Sequence, residues 1–216
     1  MNYPMTLALL LLCLLFTAIG QVFPTSLDHF ALFTGAPLRH AGLTLITSLF
    51  LHGGWNHLFG NAILLLLFGR AFEHASGPKS LALLFLLGGI TGSLAHTFTD
   101  ATHNSLLMGS SAGVLATLVF VVIALPQARV GGIGPLSATF PARSFALIYG
   151  TISLLGLATQ HFVLPHLTPL LARSPATLTT LLDSLLRSQE HVAIASHVGG
   201  ATIGIVAGFF ARMRSP

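Results

Sequence analysis

Ser111 and His197 draw their interest from the residues around them. Ser111 sits in Gly109-Ser110-Ser111-Ala112-Gly113, where small residues clear side-chain bulk from a whole turn of backbone at the mouth of an apolar helix. His197 sits in Ser196-His197-Val198-Gly199-Gly200, again small residues near the start of an apolar helix. The chemistry this pair suits is nucleophilic: the imidazole takes the hydroxyl proton as the oxygen attacks a carbonyl, then returns it to the leaving amine. His57 and Asn61 are spaced i,i+4, so on a helix their Cβ atoms stand about 5 to 6 Å apart on one face. Two donors so placed can meet one developing negative charge, which is what an oxyanion hole requires. Unsatisfied N–H groups at the start of the helix that follows Gly109 can add to it.

The elements that must position these residues are membrane spans. Of 216 residues, 53% are hydrophobic and 6% charged, with a mean hydropathy of +0.85, whereas soluble domains carry about a quarter charged residues. Six runs approach the roughly 20 apolar residues that a spanning helix needs. They are Met5–Phe23, Trp55–Phe72, Ser80–Phe98, Gly109–Leu125, Ser144–Leu164 and His191–Ala211. The chain is therefore read as an all-α membrane protein, a six-helix bundle forming one domain over residues 1–216. The first run lacks a basic leader and is read as a retained span, not a signal peptide. Residues 24–54 are expected to form a loop lying partly in the interface, and Ala176–Arg187 a surface amphipathic helix.

Charge gives the orientation. With a cytoplasmic N-terminus the inner segments hold Arg70, Lys79, Arg129, Arg143, Arg212 and Arg214, leaving Arg39, Arg173 and Arg187 outside. The excess of basic residues belongs inside, so both termini are expected in the cytoplasm, and the net charge of +4 reports topology and no nucleic-acid partner. Spans two, four and six then start at the outer face. Asn104 precedes Ser111, and Glu190 precedes His197, by the same seven residues, which sets both reacting groups about 10 Å below that face. His57 and Asn61 fall about 6 and 12 Å down on the same scale, so four polar groups share one layer.

Polar residues inside a span face the bundle interior and mark function. Small residues there also serve helix packing, and Gly200-Gly204-Gly208 is a small-xxx-small ladder. The two roles are compatible, since close helix approach is how His197 would reach Ser111. No acidic residue completes a triad: Glu73 lies about 24 Å from His57 along its helix, Glu190 two turns from His197, and Asp100 in a loop. A dyad is the economical reading. His52, His96, His103, His161, His166 and His191 are read as interfacial. No HExxH or CxxC pattern points to a metal, and the single Cys13 allows no internal disulfide.

These residues resemble the rhomboid intramembrane serine proteases, most clearly from about Thr47 to Gly208. His57-Leu58-Phe59-Gly60-Asn61 is similar to the family's histidine-x-x-x-asparagine, Gly109-Ser110-Ser111 to its glycine-x-serine, and His197-Val198-Gly199-Gly200 with Gly204 to its histidine-x-x-glycine-x-x-x-glycine. Phe68-Gly69-Arg70-Ala71-Phe72-Glu73 resembles the usual exit of the second span. Three positions depart from the pattern: Ala112 stands for glycine, Leu115 for a tyrosine that stacks on the histidine, and Leu43-Thr44 for a Trp-Arg pair, with Arg39 the nearest basic residue. The resemblance implies Ser111 as nucleophile, His197 as base, and His57 and Asn61 as oxyanion donors, with Gly109, Gly200 and Gly204 packing beside them. It implies hydrolysis of a peptide bond in or beside a substrate's transmembrane helix, without metal, nucleotide or other cofactor. Partners would be transmembrane proteins within the lipid bilayer, and the expected setting is a bacterial inner membrane with the site opening to the periplasmic or extracellular side. Three alternatives stand beside it: a non-catalytic rhomboid-like protein that binds membrane clients, a channel or transporter, and an enzyme that trims a C-terminal sorting anchor.

Overall fold

A computed structural model describes residues 3–100, 104–133, 136–158 and 194–214. It divides into two compact units, one formed by residues 1–142 with 193–216 and the other by residues 143–192. Among the described residues, four helices are long and apolar enough to cross a membrane. These are α1 (Pro4–Val22), α2 (Trp55–Ser76), α3 (Pro78–Thr99) and α6 (Ile194–Met213). A shorter apolar helix, α4 (Ser111–Ala124), belongs to the first unit. Helix α5 (Ala142–Ala158), from its second residue on, is the described part of the second. A helix thus starts two residues before the expected fifth span, whose continuation to Leu164 lies outside the described residues, as do the segment Ala176–Arg187 and His103, His161, His166 and His191.

Helix boundaries follow local chemistry. Pro4 and Pro78 occupy first-turn positions, where the missing N–H would have had no helical partner. Gly77 adopts φ +82° and its N–H returns to the Glu73 carbonyl at 2.9 Å, ending α2 and letting α3 start one residue later. Residues Leu65–Gly69 of α2 form a π-helical turn, a wide coil that loosens the helix near mid-span.

The first loop is more deeply built in than an interfacial segment. It folds through short helical turns at 24–30 and 39–50, and Ser48, Leu49, Phe50, Leu51 and His52 are all buried. Arg39, which stands near the missing Trp-Arg pair, fastens this loop by donating to the Ala31 carbonyl at 2.7 Å and lying over the Phe33 ring. Strand β1 (Leu32–Phe33) pairs antiparallel with β2 (Leu106–Leu107) just before α4. Thr34, Ser105 and the Asp100 carboxylate close the same junction, with Thr34 donating to Asp100 at 2.6 Å and the Ser105 hydroxyl donating to the same carboxylate oxygen. A second hairpin, β3 (Arg129–Ile133) with β4 (Leu136–Pro141), follows α4 in the chain and precedes α5. An all-helical reading leaves no room for these strands; each is short and set in a loop.

Glycine determines how closely α3, α4 and α6 approach. A Cβ at Gly199 would stand 2.8 Å from the Gly92 Cα, and one at Gly113 would stand 2.6 Å from the Phe85 carbonyl oxygen. At Gly200 and Gly204 it would overlap the carbonyls of Ala112 and Ala116. Backbone thus meets backbone along both faces of α4, the packing that small residues permit in a membrane where lipid offers no hydrophobic drive.

Candidate active site

Ser111 is the first residue of α4. That helix has 14 residues, about 20 Å of rise, against a hydrocarbon layer of about 30 Å. The chain leading into it is irregular backbone covered by protein, as such backbone would have to be at membrane depth. The cover is specific. The Gly109 N–H donates to the Ser48 carbonyl at 2.9 Å, and Gly109 itself adopts φ +135°, a conformation for glycine. A Cβ there would also strike the His57 ring, 2.9 Å from Cε1. Gly109 thus lets His57 lie against the turn that ends in Ser111.

His52 is the residue that sequence reasoning misplaced. Expected at the interface, it is 1% exposed and sits at the centre of a hydrogen-bond chain. Its Nε2 lies 3.1 Å from the Ser110 hydroxyl and 3.5 Å from the Ser110 N–H, and its Nδ1 lies 3.1 Å from the Thr17 hydroxyl. Since the Ser110 N–H can only donate, Nε2 is the acceptor and Nδ1 carries the proton. The buried Cys13 neighbours Ser110. Burial first, and the neighbouring His57 second, push the His52 pKa down to about 3, so the ring is neutral at any physiological pH. The signal in the sequence was a histidine five residues before His57 in an apolar run, which position alone cannot tell from an interfacial one.

Ser110 and His52 form the hydrogen-bonded serine–histidine pair among the described residues, yet both are 1% exposed and enclosed by Cys13 and Thr17. Nothing can reach that hydroxyl, so the pair locks the turn in place. Ser111, next in the chain, is half-buried, and so is His197. No hydrogen bond joins Ser111 to His197 among the described residues. They occupy adjoining turns: the carbonyl of Ala112, one residue past Ser111, faces Gly200, three residues past His197.

His57 and Asn61 lie on α2 at the end nearest this turn. The His57 ring stands edge-on to His52 with centroids 5.0 Å apart. Asn61, 7% exposed, donates one amide hydrogen to the His57 carbonyl at 3.1 Å and keeps the other. Glu73, set aside for the dyad, has a different task at the opposite end of α2. Its buried carboxylate accepts from the Met5 N–H (2.9 Å), the Thr6 N–H (2.8 Å) and the Thr6 hydroxyl (2.7 Å), capping the N-terminus of α1, where a helix favours negative charge. No group of three or more metal-ligating side chains occurs among the described residues.

Four apolar helices of spanning length, a shorter one that opens on a serine, and a cluster of polar side chains buried at one end define a class of intramembrane protein. Residues 39–214 match the family model described as Rhomboid domain, and the chain belongs to the rhomboid family. It is 42% identical over 94 residues to "Rhomboid-related protein 1" of Caenorhabditis elegans, covering 43% of this chain and 26% of that protein. It is 32% identical over 74 residues to "RHOMBOID-like protein 5" of Arabidopsis thaliana, covering 34% of this chain and 24% of that one. Against "Rhomboid-related protein 3" of Homo sapiens the identity is 38% over 71 residues, covering 33% and 17%. The matched segment thus spans about a quarter or less of the length of these relatives.

Proposed function

We propose that this protein is an intramembrane serine endopeptidase in which Ser111 attacks a substrate carbonyl and His197 serves as base and then acid. The observation that carries the reading is the backbone contact of α4 with α6 at Ala112 and Gly200, which sets the serine turn against the histidine turn. The His57 ring against Gly109 and the remaining amide hydrogen of Asn61 supply donors on the α2 side, where an oxyanion would need them. In this reading one rhomboid domain fills the chain, built on six spans, with both termini cytoplasmic and the site opening to the opposite side. Substrates are transmembrane proteins whose helices unwind readily, because a peptide carbonyl inside a regular helix is already hydrogen-bonded. The family and the apolar helices support an integral membrane protein. The bacterial inner membrane expected from the sequence draws no support from relatives found in a nematode, a plant and a human.

A second reading, a client-binding protein without catalysis, is favoured by one observation: among the described residues, the Ser111 hydroxyl and His197 ring share no hydrogen bond. Labelling the detergent-purified protein with a fluorescent serine-hydrolase probe separates the two. Labelling of wild type, lost in Ser111→Ala and His197→Ala, supports the protease. A folded wild type that neither labels nor cleaves a model transmembrane substrate supports the client-binding reading.

A further inference from the structure

The two ring nitrogens of His52 meet partners on different elements. Nε2 faces the serine turn, 3.1 Å from the Ser110 hydroxyl and 3.5 Å from the Ser110 N–H. Nδ1 faces α1, 3.1 Å from the Thr17 hydroxyl. A neutral imidazole has one N–H and one lone pair, so its tautomer decides what each side receives. Two observations, one at each nitrogen, select the same tautomer. The Ser110 N–H can only donate, which calls for the lone pair on Nε2. The Thr17 hydroxyl donates to the Phe50 carbonyl at 3.4 Å, which leaves its oxygen to accept from Nδ1–H. Thr17 is 0% exposed, so the acceptor that Nδ1 meets is the threonine oxygen and not bulk water.

The other end of this chain of bonds is the residue before the candidate nucleophile. The Ser110 carbonyl accepts the Val114 N–H at 2.9 Å as α4 begins, and the Gly109 N–H is held by the Ser48 carbonyl. His52 ties the Ser110 hydroxyl and N–H to the same ring nitrogen. Its ring also stands edge-on to His57, with centroids 5.0 Å apart, and His57 in turn lies against Gly109. In the opposite tautomer an N–H on Nε2 would point at the Ser110 N–H. Two donors cannot share that line, so either the imidazole turns or the serine turn moves, and Ser111 follows Ser110.

We propose that Thr17, on α1, is a positioning residue for the reaction. By accepting from Nδ1–H it fixes the His52 tautomer, and through His52 it sets both the turn that carries Ser111 and the ring beside His57. The positioning role rests on the serine-protease reading, whereas the tautomer is a property of the fold.

The test compares Thr17→Val, which keeps the branched shape and removes the acceptor, with Thr17→Ser, which restores it. On a transmembrane substrate Thr17→Val lowers kcat by up to about 10²-fold, the cost of a misplacement approaching 1 Å, with KM little changed, and Thr17→Ser recovers most of the loss. Leu9→Ala truncates another buried side chain of α1; it lowers Tm and leaves kcat near wild type. Nitrogen-15 NMR of the histidine rings in detergent, with the His52 signals identified by their loss in His52→Gln, reads the tautomer without any turnover. Wild type and Thr17→Ser carry the proton on Nδ1, and Thr17→Val shifts it toward Nε2. Should Thr17→Val not fold, the wild-type spectrum still decides: a proton on Nε2 overturns the proposal. So does an active wild type whose kcat is unchanged in Thr17→Val, or is lost equally in Leu9→Ala. A wild type that carries the Nδ1 proton but neither labels with a serine-hydrolase probe nor cleaves substrate overturns the protease reading, and the positioning role falls with it.

Discussion

The packing of Gly200 on Ala112 sets the separation of the two turns that carry Ser111 and His197, so Gly200→Ala is the most informative single change. The new methyl would stand 2.8 Å from the Ala112 Cα and closer still to its carbonyl, against 3.4 Å for ordinary van der Waals separation. The nearest atoms are backbone, so no side chain can swing away. Helices α4 and α6 must part by about 0.6 Å to clear the Ala112 Cα and by more to clear the carbonyl. Overpacking of this kind costs about 1 to 3 kcal/mol, and a displacement approaching 1 Å between reacting groups costs about 10²-fold in rate. Gly204→Ala is the control: it meets Ala116 one turn deeper and strains the same interface away from the reacting groups. Measured by kcat/KM on a transmembrane substrate and Tm in detergent, both variants are expected to lose similar stability. Gly200→Ala should lose about 10²-fold more activity. Equal activities for the two variants, or full activity in Gly200→Ala at reduced Tm, would refute the idea that this packing sets the dyad geometry.

Asn61→Ala is expected to lower kcat by about 10² to 10³ with KM little changed, as for the loss of one oxyanion donor; an unchanged kcat removes Asn61 from that role. Glu73→Ala leaves the Met5 and Thr6 N–H groups without their acceptor, at about 1 to 3 kcal/mol for each one left unsatisfied. Its signature is a large fall in Tm that Glu73→Gln only partly restores. His52 has a folded pKa of about 3 against an ordinary 6.5, so below pH 6.5 the unfolded chain binds a proton that the folded one refuses. Stability should fall as pH drops from 6.5 toward 3. The acid sensitivity over that window should shrink in His52→Gln, whatever its stability at pH 7; an undiminished slope would assign the window to other groups.

Hydropathy alone located α1, α2, α3 and α6 to within a few residues, because a helix in lipid must satisfy its own backbone and announces itself by length and composition. The spacing of His57 and Asn61, and the glycines around Ser111 and His197, were legible for the same reason: helical period converts sequence separation directly into depth and face. What lies between elements was not legible. His52 reads as one more histidine near a span end until α1 and the serine turn close over it and supply Thr17 and Ser110 as partners. Glu73 lies far from the reacting layer, and its part in capping α1 exists only once residues 67 positions apart in sequence are folded together. The hairpin at Arg129–Pro141 carries too short a pattern to register against its apolar surroundings. Composition and periodicity determined which segments form helices long and apolar enough to cross a membrane. Tertiary structure decided which polar groups touch, because backbone packing at Gly200 and a hydrogen bond at Ser110 depend on fractions of an ångström that no one-dimensional pattern encodes.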